Sequence, residues 1–517
     1  MDERIAAALH LLPNYLAQHV LLSASALTLG VVISLPLAVL ASRYRGLRWP
    51  TLATAGLVQT IPGLALLALF YPLLLGLSRL TTTLFGVGIP ALGFLPSLLA
   101  LTLYSMLPIL RNGVAGLTGL NPAIIEAANG VGMTPAQRLV QVELPLAAPV
   151  LMAGIRTAAV WTIGAATLST PIGQTSLGNF IFSGLQTENW VWVLVGCAAA
   201  ALLALIVDQL LGLIEAGLAR RQRRRLGLGL VGLGVAIAVA LVPLKSQGQS
   251  PYVVGTKNFA EQFILGALVG DLLERQGLGV DHKDNLGSAT IFRALAGNDI
   301  DVYVDYSGTL WTNVLRRPDR LGDAAMLDEL TRSLHQRYGV LVLGRLGFEN
   351  AYVLAMRADR ASALGVRTIA DLAAHAPQLT LGSDLEFLSR PEWTALQSAY
   401  GLKFRAERSF NPTFMYRAIE EGDADVITAF STDGRIAAQK LVVLADPKHA
   451  ILAYDALVLV SPRRASDPRL RQALAPLIGA LSTDLMREAN LMVDRDTDKL
   501  SPKQAAQFLA ARLKKSS

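Results

Sequence analysis

Apolar residues fill the first 244 positions in runs too long for one face of a soluble helix. Runs long enough to cross a bilayer core, about 20 residues, lie at roughly 17–41, 51–77, 92–110, 147–170, 191–214 and 226–244. Six membrane spans are expected, the second and third interrupted by Pro and Gly. After residue 250 the pattern changes to a mixed α/β texture, and the segment is long enough for two lobes.

Charge divides at the same place. Residues 1–244 carry 7 acidic and 13 basic side chains, and residues 245–517 carry 32 and 33. The net charge of +7 is therefore +6 in the first part and +1 in the second. The chain is 52% hydrophobic and 16% charged, against about 25% charged in a typical soluble domain. That excludes a disordered chain, a fibrous protein and an ordinary cytosolic enzyme. The single cysteine, Cys197, permits no intrachain disulfide.

Arginine sets the orientation. Arg43, Arg45 and Arg48, then Arg111 and Arg138, then Arg220, Arg221, Arg223, Arg224 and Arg225 fall in alternate loops, while the opposite loops hold Arg4 and Arg79. By the positive-inside rule the ten face the cytoplasm. Both termini and everything after residue 244 then lie outside, as expected of a multi-pass protein of a bacterial inner membrane. The Arg220–Arg225 run abuts a span, so lipid headgroups, not nucleic acid, are its expected neighbours. Arg156 and Asp208 sit inside spans near cytoplasmic ends and are expected to snorkel to the interface. The six histidines are scattered without metal-ligand spacing, and no metal site is expected.

The middle cytoplasmic loop, 121–145, carries two helix starts. Asn121-Pro122 and Thr134-Pro135 each read as an N-cap followed by Pro at the first helical position. Pro145 is expected to stop the second helix. Within this loop Glu126-Ala127-Ala128, Gly132, Val142 and Leu144-Pro145 resemble the EAA loop of binding-protein-dependent ABC importer permeases, every spacing kept. The resemblance implies a coupling helix, with Glu126, Ala127 and Gly132 at a cytoplasmic ABC ATPase. No G-x-x-x-x-G-K-[ST] phosphate loop occurs in the sequence. No catalysis and no cofactor is expected of this chain; ATP and Mg would belong to the partner ATPase. Six spans make half a typical importer, so a homodimer is expected, with a heteromeric permease as the alternative.

The second part contains a repeat at an offset of 124 residues. Arg293-Ala294-Leu295, Asp299-Ile300-Asp301-Val302 and Tyr306-Ser307 correspond to Arg417-Ala418-Ile419, Asp423-Ala424-Asp425-Val426 and Phe430-Ser431. Each copy reads as a helix, a turn and a short buried strand with an aromatic at its carboxyl end, the end that faces the ligand crevice in open α/β sheets. Tyr306 and Phe430 are expected on opposite walls of one cleft. Gly255-Thr256-Lys257-Asn258-Phe259-Ala260-Glu261-Gln262, Asp305-Tyr306-Ser307-Gly308-Thr309, Phe348–Tyr352, Glu386–Pro391, Ala429–Gly434 and Ala453-Tyr454-Asp455 resemble periplasmic binding proteins for glycine betaine, choline and carnitine.

The resemblance implies an aromatic cage of Tyr306, Tyr352, Phe430 and Tyr454 around a quaternary ammonium group. Such a group has no N–H to donate and is held by ring faces. It implies Lys257, Thr309 and Arg390 on the ligand's carboxylate, with Asn350 beside the cage. Three positions depart from common relatives: Phe430 lacks a hydroxyl, Asn350 replaces an acidic residue, and Leu385 stands where many have Tyr. These changes disfavour choline and admit larger betaines such as ergothioneine.

The expected architecture is thus an all-α polytopic membrane domain of ABC importer permease type, followed by an α/β two-lobed periplasmic-binding-protein domain. The permease core covers 1–225, the sixth span and tether 226–251, and the binding domain 252–517. Lobe I takes about 252–350 and 457–517, and lobe II 351–456. The expected function is capture and import of a quaternary ammonium osmolyte. A membrane-bound ligand sensor is the alternative from another class, and ATPase-dependent uptake in vesicles separates the two.

Overall fold

The computed structural model describes residues 3–513 except 87, 188, 247–251, 318, 320, 385, 452 and 496. The tether after Ser246 and the Leu385 position therefore lie outside the described residues. The chain divides into two compact units, Met1–Phe182 with Val191–Gly248, and Ser183–Trp190 with Gln249–Ser517.

The first unit is helical: α1 (Glu3–Arg43), α2 (Arg45–Thr60), α3 (Gly63–Phe85), α4 (Phe94–Thr118), α5 (Pro122–Gly130), α6 (Pro135–Arg138), α7 (Leu144–Ala166), α8 (Gly178–Gln186), α9 (Trp190–Ala219) and α10 (Arg223–Ser246). Among the described residues six helical stretches are long and apolar enough to cross a membrane.

One of them differs from the expected pattern. The second span is interrupted, as expected. Ile61 is extended (φ −73°, ψ 126°) and ends α2, because the ring of Pro62 disfavours the helical region for the residue before it. The apolar crossing helix starts at Gly63. The third span is not interrupted: α4 runs unbroken through Pro108. Pro108 leaves the carbonyl of Tyr104, four residues earlier, without its helical donor. Gln59 Nε2 of α2 donates to that oxygen at 3.1 Å, and the Tyr104 hydroxyl donates to Ile61 O at the α2–α3 break.

The coupling-loop starts form as residues of these types should. Asn121 Oδ1 accepts from Ala123 N–H at 3.0 Å, and Thr134 and Gln137 make a reciprocal capping box. Gly132 takes φ +81° and closes α5, with Met133 N–H donating to Ala128 O at 3.2 Å. The second helix, however, does not stop at Pro145. It widens into a π-turn at Leu139–Glu143, where Leu144 N–H reaches Leu139 O, and continues as α7. Pro145 falls in the first turn after that shift, where its missing N–H costs nothing. Glu143 is buried and accepts from Arg43 at 2.6 Å and Arg138 at 2.8 Å. This ties the coupling loop to the end of α1, while Glu126, Ala127 and Gly132 remain exposed.

Arg156 and Asp208 do not snorkel apart. Arg156 of α7 makes a two-pronged pair with Asp208 of α9, at 3.0 and 2.9 Å, and reaches Glu215 at 2.7 Å. The pairing satisfies charges that are costly at membrane depth. Arg156→Met is expected to lower the yield of monodisperse chain in detergent by leaving two facing carboxylates. Adding Asp208→Asn should restore part of it. Size-exclusion profiles of the three proteins check this, and a double variant worse than the single would contradict the pairing.

The second unit has two five-stranded sheets. Its strands are β1 (Tyr252–Lys257), β2 (Val280–Leu286), β3 (Val302–Tyr306), β4 (Leu341–Glu349), β5 (Tyr352–Arg357), β6 (Thr380–Ser383), β7 (Ala406–Ser409), β8 (Val426–Phe430), β9 (Leu441–Val443) and β10 (Asp455–Val460). The first sheet has the order β2-β1-β3-β10-β4 and the second β7-β6-β8-β5-β9. The chain crosses from one to the other between Glu349 and Tyr352 and returns at Asp455, two residues before the expected 457. Asn350 N–H donates to Tyr454 O at 2.9 Å, so the two crossings are joined.

The repeat has a structural cause. Asp301 accepts Val253 N–H, and Asp425 accepts Thr380 N–H, each at 2.9 Å. Each aspartate thus satisfies the backbone at the start of the neighbouring parallel strand. The helices of the two copies are α11-following α12 (Ser288–Ala296) and Pro412–Glu421, with α11 spanning Ala260–Arg275.

Candidate functional site

Tyr306 ends β3 and Phe430 ends β8, so the carboxyl ends of the two repeat strands place both rings at the margin between the sheets. Tyr352 opens β5 just after the first crossing, and Tyr454 precedes β10 in the second. Lys257 ends β1. Thr309 follows Tyr306 by one turn, and Asn350 lies in the first crossing. Arg390 precedes the helix Pro391–Tyr400. All eight line one cavity of about 160 Å³.

A fifth ring, Phe259, joins the two repeat aromatics into one wall, where opposite walls were expected. It stacks on Tyr306 at 6.3 Å between ring centres and on Phe430 at 5.9 Å. Tyr352 meets Phe430 at 4.8 Å and lies edge-on to Tyr454 at 6.2 Å. The aromatic surface is thus continuous from Tyr306 to Tyr454. Phe259 was visible in the opening motif beside Lys257, but it lies between strand and helix, outside the strand repeat. Gly308 explains the glycine two residues after Tyr306: a Cβ there would lie 2.7 Å from the Tyr454 ring.

The cations have partners that the sequence reading did not assign. Lys257 Nζ is paired with buried Asp305, and Tyr303 donates to the other oxygen of Asp305 at 2.6 Å. Arg390 donates through Nε and Nη2 to buried Glu392, each at 3.2 Å, and through Nη2 to the Tyr454 hydroxyl at 3.2 Å. The Tyr454 hydroxyl in turn donates to Glu392. A buried cation needs such a counter-charge. Each cation also lies against a cage ring, Lys257 Nζ 5.3 Å from the Tyr306 centre and Arg390 Cζ 5.2 Å from that of Tyr352.

Behind the cage sits Glu261 in the first turn of α11, fully enclosed. Its Oε1 accepts from the Tyr306 hydroxyl at 2.5 Å and Asn350 Nδ2 at 2.9 Å. Its Oε2 accepts from the Thr432 hydroxyl at 2.5 Å and Asn490 Nδ2 at 2.8 Å. Burial raises the Glu261 carboxyl above its ordinary range even against these four donors. Burial, and then the neighbouring Glu261, push the Tyr306 phenol well above its usual value. For Tyr352 the causes are burial and then Asp384. Both rings therefore stay neutral at physiological pH.

Residues 250–511 match the model of the substrate binding domain of the ABC-type glycine betaine transport system. Residues 30–224 match the binding-protein-dependent transport system inner membrane component. The chain is similar to the ergothioneine transport permease/ergothioneine binding protein EgtU of Helicobacter pylori (strain G27), 29% identical over 89% of this chain and 83% of that protein. It is also similar to the choline transport system permease protein OpuBB of Bacillus subtilis (strain 168), 40% identical over 39% of this chain and 85% of that protein. Among solved structures, a glycine betaine/carnitine/choline ABC transporter is 26% identical, covering 50% of this chain and 98% of its own at a TM-score of 0.44. With its inner-membrane component and its binding domain on one polypeptide, the chain is a multi-pass membrane protein and belongs to the glycine betaine family of ABC importers.

Proposed function

We propose that the binding domain captures a small quaternary ammonium osmolyte, such as glycine betaine, carnitine or choline, and delivers it to the membrane path of the same chain. The observation that carries this reading is the continuous aromatic wall of Tyr306, Phe259, Phe430, Tyr352 and Tyr454 in one cavity. Faces of neutral rings attract a desolvated cation by up to about 2 kcal/mol each. Lys257, Thr309 and Arg390 supply donors for a carboxylate, and Asn350 flanks them. A larger betaine is the second reading. It is favoured by the Helicobacter pylori relative, whose name gives ergothioneine as its ligand and which matches across both domains. Calorimetry of the full chain in detergent with glycine betaine, proline betaine, carnitine, choline and ergothioneine tests both. Absence of binding to all five would reject the cage.

The domain faces the periplasm in this reading, since ten arginines hold the alternate loops in the cytoplasm. Two copies work with two cytoplasmic ATPase subunits, which use ATP and Mg and dock on the exposed Glu126, Ala127 and Gly132. No chemical step falls to this chain. Gly132→Val forces a branched side chain into φ +81°, a conformation costly to any residue with a Cβ. It is expected to leave ligand affinity unchanged and to cut ATP-driven uptake in proteoliposomes at least tenfold. Normal uptake would remove Gly132 from the coupling path.

A further inference from the structure

Two residues that line the cavity carry a buried acceptor atom with no hydrogen-bond partner among the described residues: Asp384 Oδ2 and Asn350 Oδ1. Asp384 is 5% exposed and Asn350 is 3% exposed. Buried polar atoms are normally satisfied, and a carboxylate oxygen without a donor is among the most costly to leave bare.

The rest of each side chain is fixed, so neither atom can turn elsewhere. Asp384 follows the carboxyl end of β6, and its Oδ1 accepts from Glu386 N–H at 2.8 Å and Phe387 N–H at 3.0 Å. That leaves Oδ2 as the uncapped oxygen of a residue that lines the cavity. Asn350 Nδ2 is committed to Glu261, which assigns the amide orientation and leaves Oδ1 over. Neither cavity cation bonds Asp384: Lys257 pairs with Asp305, and Arg390 with Glu392.

We infer that Asp384, with Asn350 beside it, reads a hydrogen-bond donor on the ligand. This rests on the quaternary-ammonium reading of the same site and narrows it. The ligand carries a trimethylated nitrogen for the rings and, on another part of the molecule, a polarised N–H for the carboxylate. Glycine betaine and proline betaine have no such donor. A betaine with a ring N–H has one, and an ionised acceptor favours that donor most. A site built to bond a ligand N–H discriminates strongly against an analogue that lacks it, because its own buried atom is then left unpaired.

The test compares two probes that share the trimethylammonium and carboxylate groups: glycine betaine, and Nα-trimethylated histidine, which adds an imidazole N–H. Calorimetry on the full chain in detergent is expected to show at least tenfold tighter binding of the histidine compound. Asp384→Asn keeps the Oδ1 cap but replaces the acceptor by an amide donor. It should weaken the histidine compound at least tenfold and glycine betaine less than threefold. Retained glycine betaine affinity also shows that the variant is folded. Equal effects on the two probes, or none on either, would overturn the role of Asp384 while leaving the cage intact. If neither probe binds the wild-type chain, the cage reading falls and this inference with it.

Discussion

Glu261→Ala is expected to destabilise the binding domain by several kcal/mol, at about 1–3 kcal/mol for each buried donor left without an acceptor. The Tyr306 hydroxyl, the Thr432 hydroxyl and Asn350 Nδ2 each lose an acceptor in a site closed to water. Asn490 keeps its second acceptor, Thr432 O at 2.9 Å. Glu261→Gln should cost much less. Its carbonyl can serve one pair of donors, and Asn490 Oδ1, which has no partner among the described residues, can turn to accept from the new amide. Hydrogen exchange of β3 and β8 amides in the full chain reads the difference. Protection in the Ala variant equal to wild type would show that the network carries no stability.

The same carboxyl predicts a pH dependence. Burial favours the protonated form in the folded chain. The folded state then holds the proton after the unfolded chain has released it, and stability falls as pH rises. The contribution of Glu261 is complete below the ordinary carboxylate range, near about 4.3, and is lost as pH climbs through its raised folded value. Wild type minus Glu261→Gln should therefore show a stability difference that declines from acid toward neutral pH. A difference that grows with pH would mean the four donors outweigh burial.

How far the sequence reaches differs by level. The spans, the loop caps and the repeat rest on local rules: span length, Pro after Asn or Thr, an aspartate at a fixed offset before a strand. The eight candidate residues converge on one cavity because each sits at a strand end or a crossing, and strand ends are readable. Phe259, Asp305, Glu392 and Glu261 were not assigned because their roles depend on side chains that meet across elements. Lys257 and Asp305 are 48 positions apart, and Glu261 joins groups up to 229 positions away. The signal for two of them is present, since a buried Lys or Arg demands a carboxylate: Asp305 opens one of the motifs and Glu392 directly follows another. Pro145 misled for the opposite reason. A proline ends a helix by local rule, but a π-turn just before it shifts the register, and no residue pattern announces that turn.

Tyr352 is expected to be the ring that binding can least lose. It is the central member of the wall, 4.8 Å from Phe430, 5.0 Å from Phe387 and edge-on to Tyr454. It also backs the Arg390 guanidinium at 5.2 Å. Tyr352→Leu keeps an apolar side chain in β5 but removes the ring face. A desolvated cation–ring contact is worth up to about 2 kcal/mol, and 1.4 kcal/mol is tenfold in affinity, so the loss should be about 10- to 30-fold for any quaternary ammonium ligand. Tyr352→Phe, which keeps the face and drops the hydroxyl, should stay within about threefold of wild type on the same argument. The pair isolates the ring from the phenol, since Arg390 and Glu392 are held by Tyr454, not by the Tyr352 hydroxyl. Calorimetry with glycine betaine on wild type and both variants measures it. If the Leu variant binds as wild type does, the cation is not held by this wall. If the Phe variant loses as much as the Leu variant, the phenol and not the ring face is the recognising group.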